Sequence, residues 1–163
     1  MNARIGDVLT LEQRIARLNA EYARCIDDDR LEDWPELFVE DGRYIINPRE
    51  NRDAGFEGGF WMYYTSRGMM KDRVTALRHI NVFNTHYYRH MINDTFVERE
   101  ENGVVIARTN YLVVETSHEG KSALLNAGEY IDKVVSINGE LKFLEKLVVP
   151  DTFHSSKAII APL

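Results

Sequence analysis

A chain of 163 residues, 44% of them apolar and with no long polar or repetitive tract, has the size of one globular domain with one core; residues 1–163 are read that way. Its formal charge of −6 excludes nucleic acid as a partner, because phosphate binding needs clustered Lys and Arg to release counterions. The longest apolar runs, such as Leu147-Val148-Val149, fall far short of the roughly 20 residues a membrane-spanning helix requires, so no membrane association is expected.

The opening Met1-Asn2-Ala3-Arg4-Ile5-Gly6-Asp7 lacks the apolar core and small-residue cleavage site of a secretory signal, and a cytoplasmic location is the expectation. Leu11, Ile15, Leu18, Tyr22 and Ile26 then recur at spacings of four, three, four and four, one face of a helix. Thr10 with Gln13 supplies a capping box, so a first helix is predicted from about Thr10 to Ile26. Cys25, the only cysteine, falls on the apolar face and reads as a core residue. The acid run Asp27-Asp28-Asp29 stops this helix and offers an N-cap to a second, short one carrying Leu31, Trp34, Leu37 and Phe38. Pro35 must sit in a first turn.

Tyr44 and Ile46 alternate as a brief strand closed by Asn47-Pro48. Arg52 to Gly68 mixes glycines and aromatics without a period and reads as an irregular excursion, with at most a short helix near Trp61. Met70, Val74 and Leu77 restore a helical period, with Ile80 alongside, and a third helix is predicted over Met69 to His79.

From Val82 the texture changes to long alternating segments rich in Val, Ile, Tyr and Thr. They are punctuated by the reverse-turn dipeptides Asn102-Gly103, Glu119-Gly120 and Asn138-Gly139. Antiparallel strands are predicted over Thr85–Arg99, Val104–Ser117, Ser122–Ser136 and Leu141–Val149, the third bulged at Gly128. Strands so much longer than the usual five or six residues or so imply a strongly curved sheet. The expected architecture is α+β: a helical part over about 10–80 fills the concave face of a curled, mainly antiparallel sheet over about 82–150, and 151–163 forms a tail.

Such a shell can enclose an acid–base pocket. His86 and His90 lie four apart, but on a strand that spacing separates them by roughly 13 Å, too far for one ion to bridge. The His86-Tyr87-Tyr88-Arg89-His90 cluster still places polar groups on both faces of a strand. It could line a pocket with Tyr22 or Asp27 across from it, or dock a partner. Neighbouring carboxylates of the 27–29 run diverge at a helix junction, which favours capping over cation binding. A Rieske cluster needs two cysteines and two histidines, so one cysteine cannot hold it. Nucleotide-binding glycine loops and hydrolase elbows have no match in the sequence.

Asn19-Ala20-Glu21-Tyr22-Ala23, Ile26-Asp27, Leu31-Glu32-Asp33-Trp34-Pro35-Glu36-Leu37-Phe38, Tyr44 and Pro48-Arg49-Glu50-Asn51 resemble the opening of the small (β) subunits of aromatic-ring-hydroxylating dioxygenases. Asp72-Arg73-Val74-Thr75-Ala76-Leu77-Arg78 and Tyr88-Arg89-His90 resemble the helix and first long strand of the same family. The overall texture is most similar to members acting on aromatic carboxylates such as benzoate, anthranilate, terephthalate or salicylate. Asn93-Asp94-Thr95-Phe96 running into Glu98-Arg99-Glu100-Glu101 departs from the commoner pattern, which implies a partner-facing edge of different detail.

The resemblance implies a cystatin-like, or nuclear-transport-factor-like, cone that holds no cofactor itself. It implies assembly with a large (α) oxygenase subunit carrying the Rieske iron–sulfur cluster and a mononuclear iron, with further copies of itself in a ring or trimer. Electrons would come from NADH through a reductase or ferredoxin, and the chain would have no catalytic residue of its own. Tyr87, Arg89, Arg108 and Asn110, with Tyr111 or Tyr130, are the expected interface on the outer sheet face, since Tyr and Arg are enriched where proteins meet. The alternative is a stand-alone dehydratase, isomerase or small-ligand-binding domain of the same fold, with Tyr22, Asp27, His86 and His90 lining its pocket.

Overall fold

The computed structural model describes residues 9–79, 86–155 and 157–163; Ile80 and the strand start expected at Thr85 lie outside the described residues. Thr10 is extended and accepts the Gln13 N–H, while the Gln13 side chain caps Thr10 in return, so helix α1 (Leu11–Asp27) begins where the capping box put it. Its stripe of Ile15, Leu18, Tyr22 and Ile26 is buried, with Asn19 and Cys25 among them.

The segment after α1 differs from expectation. Asp28 is the C-cap of α1, and among the described residues no side chain caps the next element, which is a single 3-10 turn (Trp34–Leu37) entered through Pro35. Phe38 already belongs to strand β1 (Phe38–Ile46), nine residues long rather than a brief Tyr44–Ile46 strand. Its extra length comes from pairing with a strand a hundred residues away, which local alternation does not reveal. The excursion holds helix α2 (Arg49–Asp53) and strand β2 (Met62–Tyr64), so the short helix expected near Trp61 is a strand paired to β1. Helix α3 (Arg67–His79) starts two residues earlier than predicted.

Strands β3 (His86–Glu101), β4 (Val104–Ser117), β5 (Ser122–Ile137) and β6 (Glu140–Pro150) follow the predicted hairpins closely. At Asn102-Gly103 and Asn138-Gly139 both residues have positive φ, the mirror-image turn geometry whose twist matches the strands. Among the described residues one six-stranded mixed sheet results, ordered β2-β1-β6-β5-β4-β3, with β1 parallel to β6 and the other pairs antiparallel. Strand β5 is bulged as expected, but at Leu125 rather than Gly128: the β4–β5 register skips Leu125, pairing Val113 with Asn126 and Val114 with Leu124. Gly128 answers a different need: a Cβ there would sit 2.1 Å from the Val149 carbonyl oxygen.

Helices α1 and α3 cover one face of the sheet. The core between them is aromatic, with Tyr22, Trp34, Phe38, Tyr44, Tyr130 and Phe143 all fully buried. The expected tail does not trail away, because Ala161 and Leu163 return to this core.

Candidate functional site

The inner face of the sheet carries polar groups that a stripe-based reading misses. Asp132 on β5 and Lys146 on β6 are directly opposed, and both side chains are fully buried. Lys146 Nζ donates to Asp132 Oδ1 at 2.9 Å and to Asn19 Oδ1 at 2.7 Å, and lies over the rings of Tyr22, Tyr130 and Phe143. Asn19 Nδ2 closes the network by donating to Asp132 Oδ2 at 2.9 Å. Burial pushes the Lys146 ammonium down to about 8, and Asp132 pulls it part of the way back. The readable signal was Asn19 within the apolar stripe of α1 and an Asp and a Lys in inward phase on neighbouring strands.

A second polar pair lies at the end of α1. Asp27 Oδ1 accepts from His90 Nδ1 at 2.6 Å and Oδ2 from the His90 backbone N–H at 2.9 Å. The two side chains are 0% and 5% exposed, so this carboxylate orients a buried imidazole with Nδ1–H toward it. The 27–29 acids go three ways: Asp27 inward to His90, Asp28 to the helix cap, and Asp29 to Arg78 at 2.7 Å. Tyr22 reaches the same interior, its ring 6.5 Å from that of His90 in edge contact. Its hydroxyl donates to the Leu163 backbone oxygen at 2.6 Å, and burial pushes the hydroxyl well up, so it stays neutral. His86 packs edge-on against Tyr88 and lines a cavity together with Asp27. Thus Tyr22, Asp27 and His90 converge, and His86 lies with Asp27 in the lining of the neighbouring cavity. Burial pushes the Cys25 thiol up to about 11, leaving it protonated and inert. Among the described residues no cluster of three or more His, Cys, Asp or Glu could hold a metal ion.

The outer face follows strand alternation. Tyr87 and Met91 are 58% and 59% exposed on β3, and Arg89 lies exposed between them on the same face. The register lines up Arg89 with Val114 and Leu124, Met91 with Leu112, Asn93 with Asn110, and Phe96 with Arg108. Arg108 is held by Glu129 at 3.5 Å and Glu98 at 3.8 Å, while Asn110 is exposed. Tyr111 and Tyr130 are not on this face. They are 4% and 0% exposed and stack on each other in the core at 4.5 Å, because each is one residue out of phase with Asn110 and Ile131. Phe96 and Leu124, at 59% and 61% exposure, occupy the outer face in their place. Asp94 has a positive φ of 55° beside the register shift between Asn93 and Phe96, so the charged segment that departs from the family pattern follows a bulge.

A one-face apolar sheet with charged ladders and exposed aromatics on its uncovered side fits a chain that works by association. The family model for the ring-hydroxylating beta subunit matches residues 21–153. The chain belongs to that family. This β subunit is 38% identical over 149 residues to the anthranilate 1,2-dioxygenase small subunit of Burkholderia cepacia, covering 91% of this chain and 92% of that one. It is 33% identical to the terminal oxygenase beta 2 subunit of the terephthalate 1,2-dioxygenase of a Comamonas species, over 93% of this chain and 98% of that one. A solved beta subunit of the aromatic-ring-hydroxylating dioxygenase kind, from Novosphingobium aromaticivorans DSM 12444, superposes with a TM-score of 0.83 at 37% identity. It covers 93% of this chain and 96% of that one. The α+β class read from the sequence therefore stands, and so does its place as the small subunit of a ring-hydroxylating oxygenase. Beta subunits of this kind pair with α oxygenase subunits. Among the described residues no helix is long and apolar enough to cross a membrane.

Proposed function

We propose that this β subunit is a non-catalytic brace, a single domain in the cytoplasm that docks its uncovered sheet face on a large oxygenase subunit. The observation that carries the reading is the outer surface of Tyr87, Arg89, Met91, Phe96, Arg108 and Asn110, where exposed aromatics and arginine stand beside Met. The Rieske cluster and mononuclear iron belong to the large subunit in this reading. A lone buried cysteine lacks the ligands for a cluster, and Asn19, Asp132 and Lys146 are committed to one another. NADH supplies electrons through a reductase or ferredoxin, and copies of the α and β chains close into a ring. The assembled enzyme acts on an aromatic carboxylate in this reading, which the anthranilate and terephthalate dioxygenase relatives support.

The reading is tested by expressing the chain with and without its large subunit and measuring NADH-dependent oxygen uptake against a panel of aromatic acids. Uptake is expected only with both chains and a reductase. Uptake by this chain without the large subunit would overturn it.

A further inference from the structure

Arg89 differs from the other cations of the outer sheet face, whose counter-charges come from the strands themselves. Glu145 lies between its register partners Arg43 and Lys133, pairs with both, and has a side chain only 11% exposed. Glu129 and Glu98 hold Arg108 at 3.5 and 3.8 Å. Arg89 is exposed, and among the described residues neither a hydrogen bond nor an ion pair holds it.

The side chains around Arg89 are apolar. Strand alternation puts Tyr87 and Met91 on either side of it along β3, at 58% and 59% exposure. Across the sheet its row continues through Val114 to Leu124, which is 61% exposed, and the next row runs from Met91 through Leu112 to Ala127. The acid beside Val114, Glu115, is opposite in phase and pairs with Lys157. A guanidinium in water is well solvated at such a position. Covering the apolar surface around it removes that water, and an unpaired charge left there opposes association strongly. The face is therefore complementary to a surface that carries an anion at this point. Guanidinium fits a carboxylate through two parallel hydrogen bonds, which fix register as well as charge.

We propose that the large subunit presents an Asp or Glu carboxylate inside an apolar patch, and that this carboxylate pairs with Arg89 in the docked complex. The inference deepens the brace reading and rests on it. Tyr87, Met91 and Leu124 form the apolar rim that keeps water from the pair.

The test uses the complex formed on co-expression, diluted and followed by light scattering, with the fold of each variant checked by chemical denaturation. Arg89→Met keeps an apolar stem and removes the charge. The stranded carboxylate should weaken the complex at least about thirtyfold, and Arg89→Glu should weaken it at least about another tenfold. Arg89→Lys restores the charge without the planar fork and should fall between wild type and Arg89→Met. The carboxylate also has a signature in pH. Buried beside methionine it favours its protonated form, so assembly of the Arg89→Met complex takes up a proton. Its deficit relative to wild type should shrink at least about fivefold from about pH 8 to about pH 5.5.

An Arg89→Met complex as tight as wild type or tighter would overturn the proposal, and so would a deficit that acid does not relieve. A deficit confined to association between copies of this chain would overturn it as well, by moving the carboxylate to a second copy. Met91→Asp/Leu124→Asp tests the face itself. Normal assembly of that variant would defeat the docking surface, whereas its loss alongside a full-strength Arg89→Met complex would defeat the carboxylate alone.

Discussion

Lys146 shows how one buried charge sets the properties of the interior. Its partners Asp132 and Asn19 satisfy it, so removing it alone strands a carboxylate away from water. Lys146→Met should cost about 3–5 kcal/mol by chemical denaturation, and adding Asp132→Leu should recover most of that loss, since an apolar replacement of a whole buried pair is close to neutral. The folded protein holds the Lys146 proton more weakly than the unfolded chain, with the group at about 8 against an ordinary 10.5. Below 8 this group therefore disfavours folding, and its contribution to stability rises as pH climbs from about 8 towards 10.5. Side-chain NMR of Lys146 should show it titrating near 8, and an ordinary lysine titration would contradict the buried network. None of this was visible as a motif, because Asp132 and Lys146 meet only through strand register. By contrast the Asp27–His90 pairing was legible as one of the options once His90 was put on a strand facing α1.

At the level of elements, local signals were read well where they are self-contained. The capping box fixed the start of α1, and turn dipeptides with positive φ fixed the hairpins. Thr10→Ala should lower stability by about 1 kcal/mol through loss of that cap, measured as a shift in thermal midpoint. Elements that depend on distant partners were read poorly. Strand β1 owes its length to parallel pairing with β6, and β2 exists only because Tyr63 and Tyr64 pair with β1 inside a glycine-rich excursion. A glycine at 128 reads as a bulge from the sequence, but its cause is the approach of the Val149 carbonyl, which only the β5–β6 pairing supplies. Gly128→Ala should therefore destabilise by about 1–3 kcal/mol or more, as overpacking against backbone does, whereas a bulge position would tolerate alanine. Strict alternation from Arg108 and Asn110 puts Tyr111 on the inner face, where it and Tyr130 are buried, so neither joins the expected interface.

For the whole molecule, the two faces of the sheet divide the work. The inner face spends its aromatics on a core closed by α1, α3 and residues 159–163, and the outer face keeps Tyr87, Arg89, Met91 and Phe96 in solvent. A surface of that kind in a beta subunit is there to be covered. The most direct measurement is the mass, by light scattering, of the chain co-expressed with its large subunit, compared with an Arg89→Glu/Met91→Asp/Phe96→Asp variant. The wild-type chains should elute together as one complex. The variant β subunit should keep its own unfolding free energy within about 1 kcal/mol, as surface substitutions do, yet separate from the large subunit. A variant that is fully folded and still co-elutes in the normal ratio would contradict the assignment of this face as the docking surface.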